Sequence, residues 1–320
     1  MSAVKRYWPL AGLAVWTLIP IVVKNSYVIH MLFMVSMFSI LATSLNIAVG
    51  YTGLSNMSHA TFFGIGAYAA ALLATRADVP FYLTLVLGGI AAMGAGLLLG
   101  VPTLRLKGFY LALVTIGFGQ IVRLVELNWV SLTNGPMGIP GIPTAALGGV
   151  EFSPLAFNYY ALIILLIEIE AVRRIADSRI GRALLAIKND QVVANALGVN
   201  TTRYKVLAFA LSSFFAGMAG SIYAHYVTFV SPDSFTSADS ISALCMVILG
   251  GSGTLLGPVI GAIFLVVSPE ILRFAALYRM IFVGGAMVIG ILVKEGGLGE
   301  SISGWAERVT ANFRGREVKA

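Results

Sequence analysis

Four polar side chains, Ser55, Asn56, Ser58 and His59, crowd into the stretch VGYTGLSNMSHATFFGIGAYAAALL (Val49–Leu73), between spaced glycines and an apolar run. Hydroxyl, amide and imidazole groups so close together can donate to and accept from a polar solute. The same residue types could also hold a metal or move a proton, so their surroundings decide. The other two histidines, His30 and His225, fall in different segments, and the three make no metal-ligand spacing. No nucleophile elbow is present, and GGSGTLLG (Gly250–Gly257) lacks the lysine of a phosphate-binding loop. The chain is therefore expected to be neither an enzyme nor an ATP-binding protein, and to need no metal or cofactor. What remains for Ser55, Asn56, Ser58 and His59 is to line a water-accessible path.

The elements that position these groups must lie in lipid. Of 320 residues, 58% are hydrophobic and 11% charged, against about 25% charged in soluble domains, and the mean hydropathy is +0.90. The net charge of +7 falls mainly between apolar runs, as in cytoplasmic loops, so a nucleic-acid partner is not expected. The single cysteine, Cys245, cannot form an internal disulfide. The fold class is all-α and polytopic, because only helices and closed barrels span a bilayer and these long unbroken runs favour helices. Spans are expected at about 8–23, 27–48, 59–75, 81–101, 109–130, 155–172, 204–228 and 275–293, each edge uncertain by about two to four residues. The first, with Lys5 and Arg6 before it, resembles a signal peptide but has no small-x-small cleavage site, and is expected to be retained. Residues 1–293 form one transmembrane domain on this reading, and 294–320 a basic tail.

A ninth segment, 239–268, is broken by Gly250, Gly251, Gly253, Gly257 and Pro258. Irregular backbone at membrane depth survives only where protein or a water-filled cavity surrounds it. A re-entrant pair here would leave both termini in the cytoplasm, matching Lys5 and Arg6 at one end and the basic tail at the other. Gly50–Gly53 and Gly250–Gly253 share a Gly-x-x-Gly pattern that runs on to Gly66–Ala67 and Gly261–Ala262. Paired discontinuous helices in two halves point to a transport path and an inverted repeat. Gly53, Gly250, Gly251 and Gly253 therefore join the candidate path residues. Gly253, Gly257 and Gly261 would share one helix face, either for plain tight packing or for a moving contact.

The loop 173–203 carries Arg173, Arg174, Arg179, Arg182, Lys188 and Arg203 against Asp177 and Asp190, so it is assigned to the cytoplasm, with Arg105 and Lys107 on the same side. Ser178 can cap a helix over 179–188, and Asp190 a second over 191–197 that Gly198 ends. The second would present Val192, Val193, Ala196 and Leu197, either to a partner's groove or to the membrane surface. Arg123 and Glu126, three apart, read as a mutually neutralising pair near a span end. Glu168 and Glu170 read as an interfacial cluster with Arg173 and Arg174, His30 and His225 as interfacial residues, and no carboxylate as clearly mid-span. The Gly- and Pro-rich loop LTNGPMGIPGIP (Leu132–Pro143) is either a connector or an extracytoplasmic docking surface or cap.

Over roughly 35–293 the chain resembles the permease subunits of branched-chain amino acid ABC transporters. Four stretches carry the likeness in order: SLNIAVGYTGLSNMSHATFFGIGAYAAALL, TNGPMGIPGIP, GRALLAIKNDQVVANALGVNTTRYKVLAFALSSFFAGMAGSIYAHYVTFVSPDSF and LGGSGTLLGPVIGAIFLVVSPEILR. The resemblance implies an inner-membrane importer. It would hold a second permease subunit, usually a paralogue, with two cytoplasmic ATPase subunits and a periplasmic binding protein that delivers leucine, isoleucine or valine. Residues 179–198 match the family's coupling segment, with Arg182, Asp190, Val192, Val193, Ala194, Ala196, Leu197 and Gly198 as its implied ATPase contacts. Val192 and Val193 replace the Glu-Ala of the wider coupling signature, its closing Leu-Pro is absent, and VKEGGLGE stands where Arg-Pro-Gln-Gly is common. A urea or short-amide permease shares several of these glycine blocks. An ion-coupled secondary transporter would call for a mid-span carboxylate.

Overall fold

The computed structural model describes residues 25–271 except 104, 105, 107, 148 and 149, together with positions 16, 20, 284 and 285. The expected spans at 8–23 and 275–293, the tail, VKEGGLGE, Arg105 and Lys107 lie outside the described residues or almost wholly so. Within them the regular structure is helical apart from two 3-10 turns and four two-residue strands; the α-helices are α1 (Ser26–Thr52), α2 (His59–Arg76), α3 (Phe81–Thr103), α4 (Phe109–Asn128), α5 (Val130–Thr133), α6 (Pro154–Asp177), α7 (Arg179–Asn189), α8 (Gln191–Ala196), α9 (Thr201–Val227), α10 (Ser237–Gly250) and α11 (Gly257–Ile271). Five of these, α1, α3, α4, α6 and α9, are long and apolar enough to cross a membrane. α2 has the length, but His59, Thr61, Thr75 and Arg76 at its ends lower its hydropathy.

α9 runs through the centre, packed on α1, α2 and α3. Lipid tails are as apolar as leucine, so helices associate by close backbone approach rather than by hydrophobic burial. Small residues supply that approach. A Cβ on Gly66 of α2 would overlap the Gly217 backbone of α9, and one on Gly220 would overlap the Phe63 carbonyl. α4 lies at the edge, burying only Leu111, Ala112, Thr115 and Glu126.

The segment expected to be broken over 239–268 is two helices. Gly261 of α11 packs on the Met246 carbonyl of α10, and Gly250 on the Gly257 carbonyl, so the pair runs antiparallel as a hairpin. At 14 residues and about 1.5 Å per residue, α10 is shorter than the roughly 30 Å hydrocarbon core. Gly253 lies in the hairpin tip, not on the helix face with Gly257 and Gly261, because its φ is +83°. Gly257 and Gly261 serve packing within the chain.

At the other end, the loop Leu132–Pro143 is tied down. Of the strands β1 (Ile139–Pro140), β2 (Ala146–Leu147), β3 (Val150–Glu151) and β4 (Phe229–Val230), β1 pairs antiparallel with β4, in register Ile139 with Val230. The imidazole of His225, buried in α9, bridges Pro143 O at 2.7 Å and Thr84 Oγ1 at 2.9 Å. His225 is thus a loop anchor inside the protein rather than an interfacial residue. His30 stays exposed, with its ring nitrogen 2.8 Å from the Tyr226 hydroxyl.

Two charge assignments change. Arg123 pairs with Asp233 at 2.8 Å, across to the segment after α9, because Glu126 turns into the protein and is buried. Glu170 does pair with Arg173 and Arg174, at 2.9 and 2.8 Å. Glu168 does not share in the cluster: it points the other way, is 0% exposed, and neither of its oxygens meets a partner among the described residues. A carboxylate thus does lie inside a span.

Candidate functional site

Two breaks in helical structure meet at one point. α1 stops because Gly53 takes φ +69°, and the N–H groups of Gly53 and Leu54 turn back onto Val49 O and Ala48 O. This is a Schellman-type end, entered by glycine without a Cβ penalty. The buried side chain of Asn46, one turn before Gly50, joins this end to the hairpin tip. Its Nδ2 donates to Thr254 O at 2.8 Å, and its Oδ1 accepts the Gly253 N–H at 2.9 Å. A side-chain amide has the donor and acceptor of a peptide group, so it satisfies the tip as a neighbouring backbone would. Gly50 gives this amide its space, since a Cβ there would overlap Asn46 Oδ1 and stand 2.6 Å from Gly253 N. The paired glycines read from the sequence therefore touch in the fold.

A third element reaches the same point. Lys188, in the last turn of α7, donates from Nζ to Gly50 O at 2.7 Å. That carbonyl is one of the last of α1, where unpaired oxygens and the negative end of the helix dipole attract a cation. A cleft of about 300 Å³ opens beside it, lined by Gly53, Leu54, Leu106, Lys188, Asp190 and Lys205 among others.

The polar residues at the start of α2 form a buried network. The Ser44 hydroxyl of α1 donates to Leu41 O at 2.8 Å, which spends its only hydrogen. His59 Nε2, 2.8 Å from Ser44 Oγ, is then the donor of that contact. His59 Nδ1 is left to accept from Asn56 Nδ2 at 3.4 Å, and Asn56 Oδ1 accepts the Ser58 N–H at 3.1 Å. These bonds close with a neutral Nε2–H imidazole. Thr115 of α4 accepts the Met57 N–H at 3.1 Å, and Ser240 of α10 accepts the Ala60 N–H at 2.9 Å. The N-terminus of α2 thus takes its caps from other helices. Asn56, Ser58 and His59 are buried here, Ser55 is half-buried and Gly53 exposed; Gly250 and Gly251 are buried and Gly253 half-buried.

The loop 173–203 folds as its caps require. Ser178 Oγ accepts the Ile180 and Gly181 N–H groups at the start of α7. Asp190 Oδ1 accepts those of Val192 and Val193, at 2.7 and 3.1 Å, at the start of α8, and Gly198 leaves with φ +84°. Leu184 and Ile187 anchor α7 in the body. On α8 and at its C-terminal cap, Val192, Val193 and Leu197 are 68%, 54% and 77% exposed, and Arg182 of α7, Asp190, Ala196 and Gly198 are exposed as well. Ala194 is 2% exposed; it holds α8 to the protein and does not share the outward face.

Asn46 and Lys188 are the functional candidates that residue-by-residue inspection of the sequence passed over. An amide inside the run 27–48 is itself a signal, because a polar group in a span must find a partner. Lys188 had no such signal beyond being the last cation before the Asp190 cap.

No solved structure matches the chain. Residues 27–292 match the family described as branched-chain amino acid transport system, permease component. Over 289 residues the chain is 38% identical to the high-affinity branched-chain amino acid transport system permease protein LivM of Salmonella typhimurium, covering 83% of this chain and 68% of that one. The protein of that name from Escherichia coli K12 is 38% identical over 285 residues, 82% and 67% of the two chains. The autoinducer 2 import system permease protein LsrC of Salmonella typhi is more distant, 27% identical over 223 residues, 67% and 61% of the two. A helical membrane chain matched by one permease family over most of its length is a transport protein; it belongs to the permease-component family of the branched-chain amino acid transport system.

Proposed function

We propose that this chain is one of two permease subunits of an inner-membrane importer. It would move leucine, isoleucine or valine by alternating access, driven by ATP hydrolysis in two cytoplasmic ATPase subunits and supplied by a periplasmic binding protein. The observation that carries the assembly is α8: three large apolar side chains held outward on a capped, basic loop. Exposed apolar side chains grouped on a short helix fit a partner's groove, and the family supplies an ATPase as that partner. The second permease subunit is read as a paralogue from the family pattern alone.

In this reading the loop 173–203 is cytoplasmic, α10 and α11 are a re-entrant hairpin, and both termini face the cytoplasm. The two glycine-spaced breaks are halves of an inverted repeat. Ser55, Asn56, Ser58 and His59, with Gly53, Gly250, Gly251 and Gly253, lie along the path. The conformer described here is closed around His59, and substrate passage requires Thr115 and Ser240 to release the start of α2.

The ion-coupled alternative can no longer be set aside for want of a carboxylate, since Glu168 is buried in α6; the family match is what sets it aside. Co-expression tests the assembly. The tagged chain should retain the ATPase subunits, and a Val193→Cys variant should cross-link to them. Retention without any cross-link from α8 would move the contact elsewhere. Competition of labelled leucine uptake by valine, isoleucine, urea and acetamide tests the substrate class, and inhibition by the amides alone would replace it.

A further inference from the structure

One side chain of the α7–α8 segment, Lys188, is hydrogen-bonded into the meeting point of the two breaks. α7 and α8 are consecutive and share the Asp190 cap, so a push on Val192, Val193 or Leu197 is carried along α7. Lys188 is the residue of α7 that leaves it toward the breaks. Its Cγ passes 3.6 Å from where a Cβ on Gly53 would stand, and its Nζ lies 3.3 Å from where one on Gly253 would stand. The ammonium is bonded to Gly50 O at 2.7 Å. Gly253 thus leaves room for the ammonium, and Asn46 joins the end of α1 to the hairpin tip beside it. Leu184 and Ile187 bury one side of α7 in the body, but neither reaches the end of α1 through a hydrogen bond.

We propose that Lys188 is the positioning residue that transmits movement of α8 to the end of α1, and through Asn46 to the α10–α11 hairpin tip. Lys188 is exposed apart from its bonded head, so holding the fold together does not require it. The proposal rests on the ATPase-driven reading above, and its test separates the two. The full complex, with ATPases and binding protein, is placed in proteoliposomes, and leucine uptake and ATP hydrolysis are measured together. If the unaltered complex takes up leucine without ATP, the ATPase-driven reading fails whatever Lys188 does.

Given ATP-driven uptake, Lys188→Met keeps the stem and removes the charged donor. It is expected to leave binding-protein-stimulated hydrolysis within about twofold while lowering leucine moved per ATP about tenfold, the loss of one charge-assisted hydrogen bond. Lys188→Arg, which keeps a donor of similar reach, is expected to recover at least half of that loss. Spin labels at Ala196→Cys and Ser252→Cys, in a Cys245→Ser background, should shift in separation on ATP binding with Lys188 present and stop shifting with Lys188→Met. Unchanged leucine per ATP in Lys188→Met overturns the proposal. So does loss of the variant from the membrane or of the ATPases from its complex, since Lys188 would then be a folding or assembly residue.

Discussion

Replacing Asn46 with alanine opens the hairpin tip without touching the tip itself. Asn46 makes two hydrogen bonds to it, at 2.8 and 2.9 Å, and is buried. Each such bond contributes about 1 kcal/mol net, and a buried group left unpaired costs about 1–3 kcal/mol more. Some of that cost is relieved because Gly253 is half-buried, so the loss is about 2–4 kcal/mol. Amide exchange of the peptide spanning Gly250–Gly257 reads this as local opening. At about 1.4 kcal/mol per factor of ten, exchange of the Gly253 amide should quicken about 30- to 700-fold. Peptides from the middle of α9 should not change. Gly50→Ala should reach the same state by another route, because its Cβ would displace Asn46 Oδ1. Because the added Cβ would also press on Gly253 N, the Asn46→Ala, Gly50→Ala double variant should exchange faster than Asn46→Ala alone but by less than the sum of the two effects, since the part that acts through Asn46 is shared. Unchanged exchange at Gly253 in Asn46→Ala, or fully additive effects in the double variant, would refute the clamp.

Val193→Arg, on the exposed face of α8, should shift the thermal unfolding midpoint little, since the cost at such a position is about 0.5 kcal/mol or less, yet weaken ATPase retention at least about tenfold. Ala194→Arg, one position on but buried, should instead lose about 3 kcal/mol or more of stability from an unpaired buried charge; a fold as stable as the wild type would place Ala194 on the outer face after all. Asp190→Ala removes a cap that accepts two N–H groups and should cost α8 about 1 kcal/mol, seen as faster exchange across 191–197. Glu168→Met replaces a buried carboxylate that has no described partner, among Leu165, Ile164 and Val172, and should raise the unfolding midpoint in detergent by the equivalent of about 1–3 kcal/mol. A lowered midpoint would mean that Glu168 has a partner.

Helix positions were legible wherever apolar length alone decides them. The expected spans 27–48, 59–75, 81–101, 109–130, 155–172 and 204–228 correspond to α1, α2, α3, α4, α6 and α9. Caps were legible too, since Ser178, Asp190 and Gly198 act on N–H groups within a few residues of themselves. Side-chain partners across the bundle were not. The spacing of Arg123 and Glu126 suits a pair, but it does not say that the segment after α9 brings Asp233 to Arg123 instead. The same limit hid the direction in which Glu168 points and the two residues that join the breaks. Glycine spacing marked Gly50–Gly53 and Gly250–Gly253 as alike, yet the contact of Gly50 with Gly253 depends on how α1 and the hairpin pack, which no local pattern encodes.

The central claim, that this chain passes branched-chain amino acids only when its partners hydrolyse ATP, is tested most directly by one uptake measurement. Proteoliposomes holding the complete complex are loaded with ATP and given binding protein with labelled leucine. A parallel set carries ATPase subunits able to bind ATP but not to hydrolyse it. Leucine should accumulate above its outside concentration in the first set and stay at the background of empty liposomes in the second. Equal accumulation in both, or accumulation driven by an ion gradient without ATP, would contradict it.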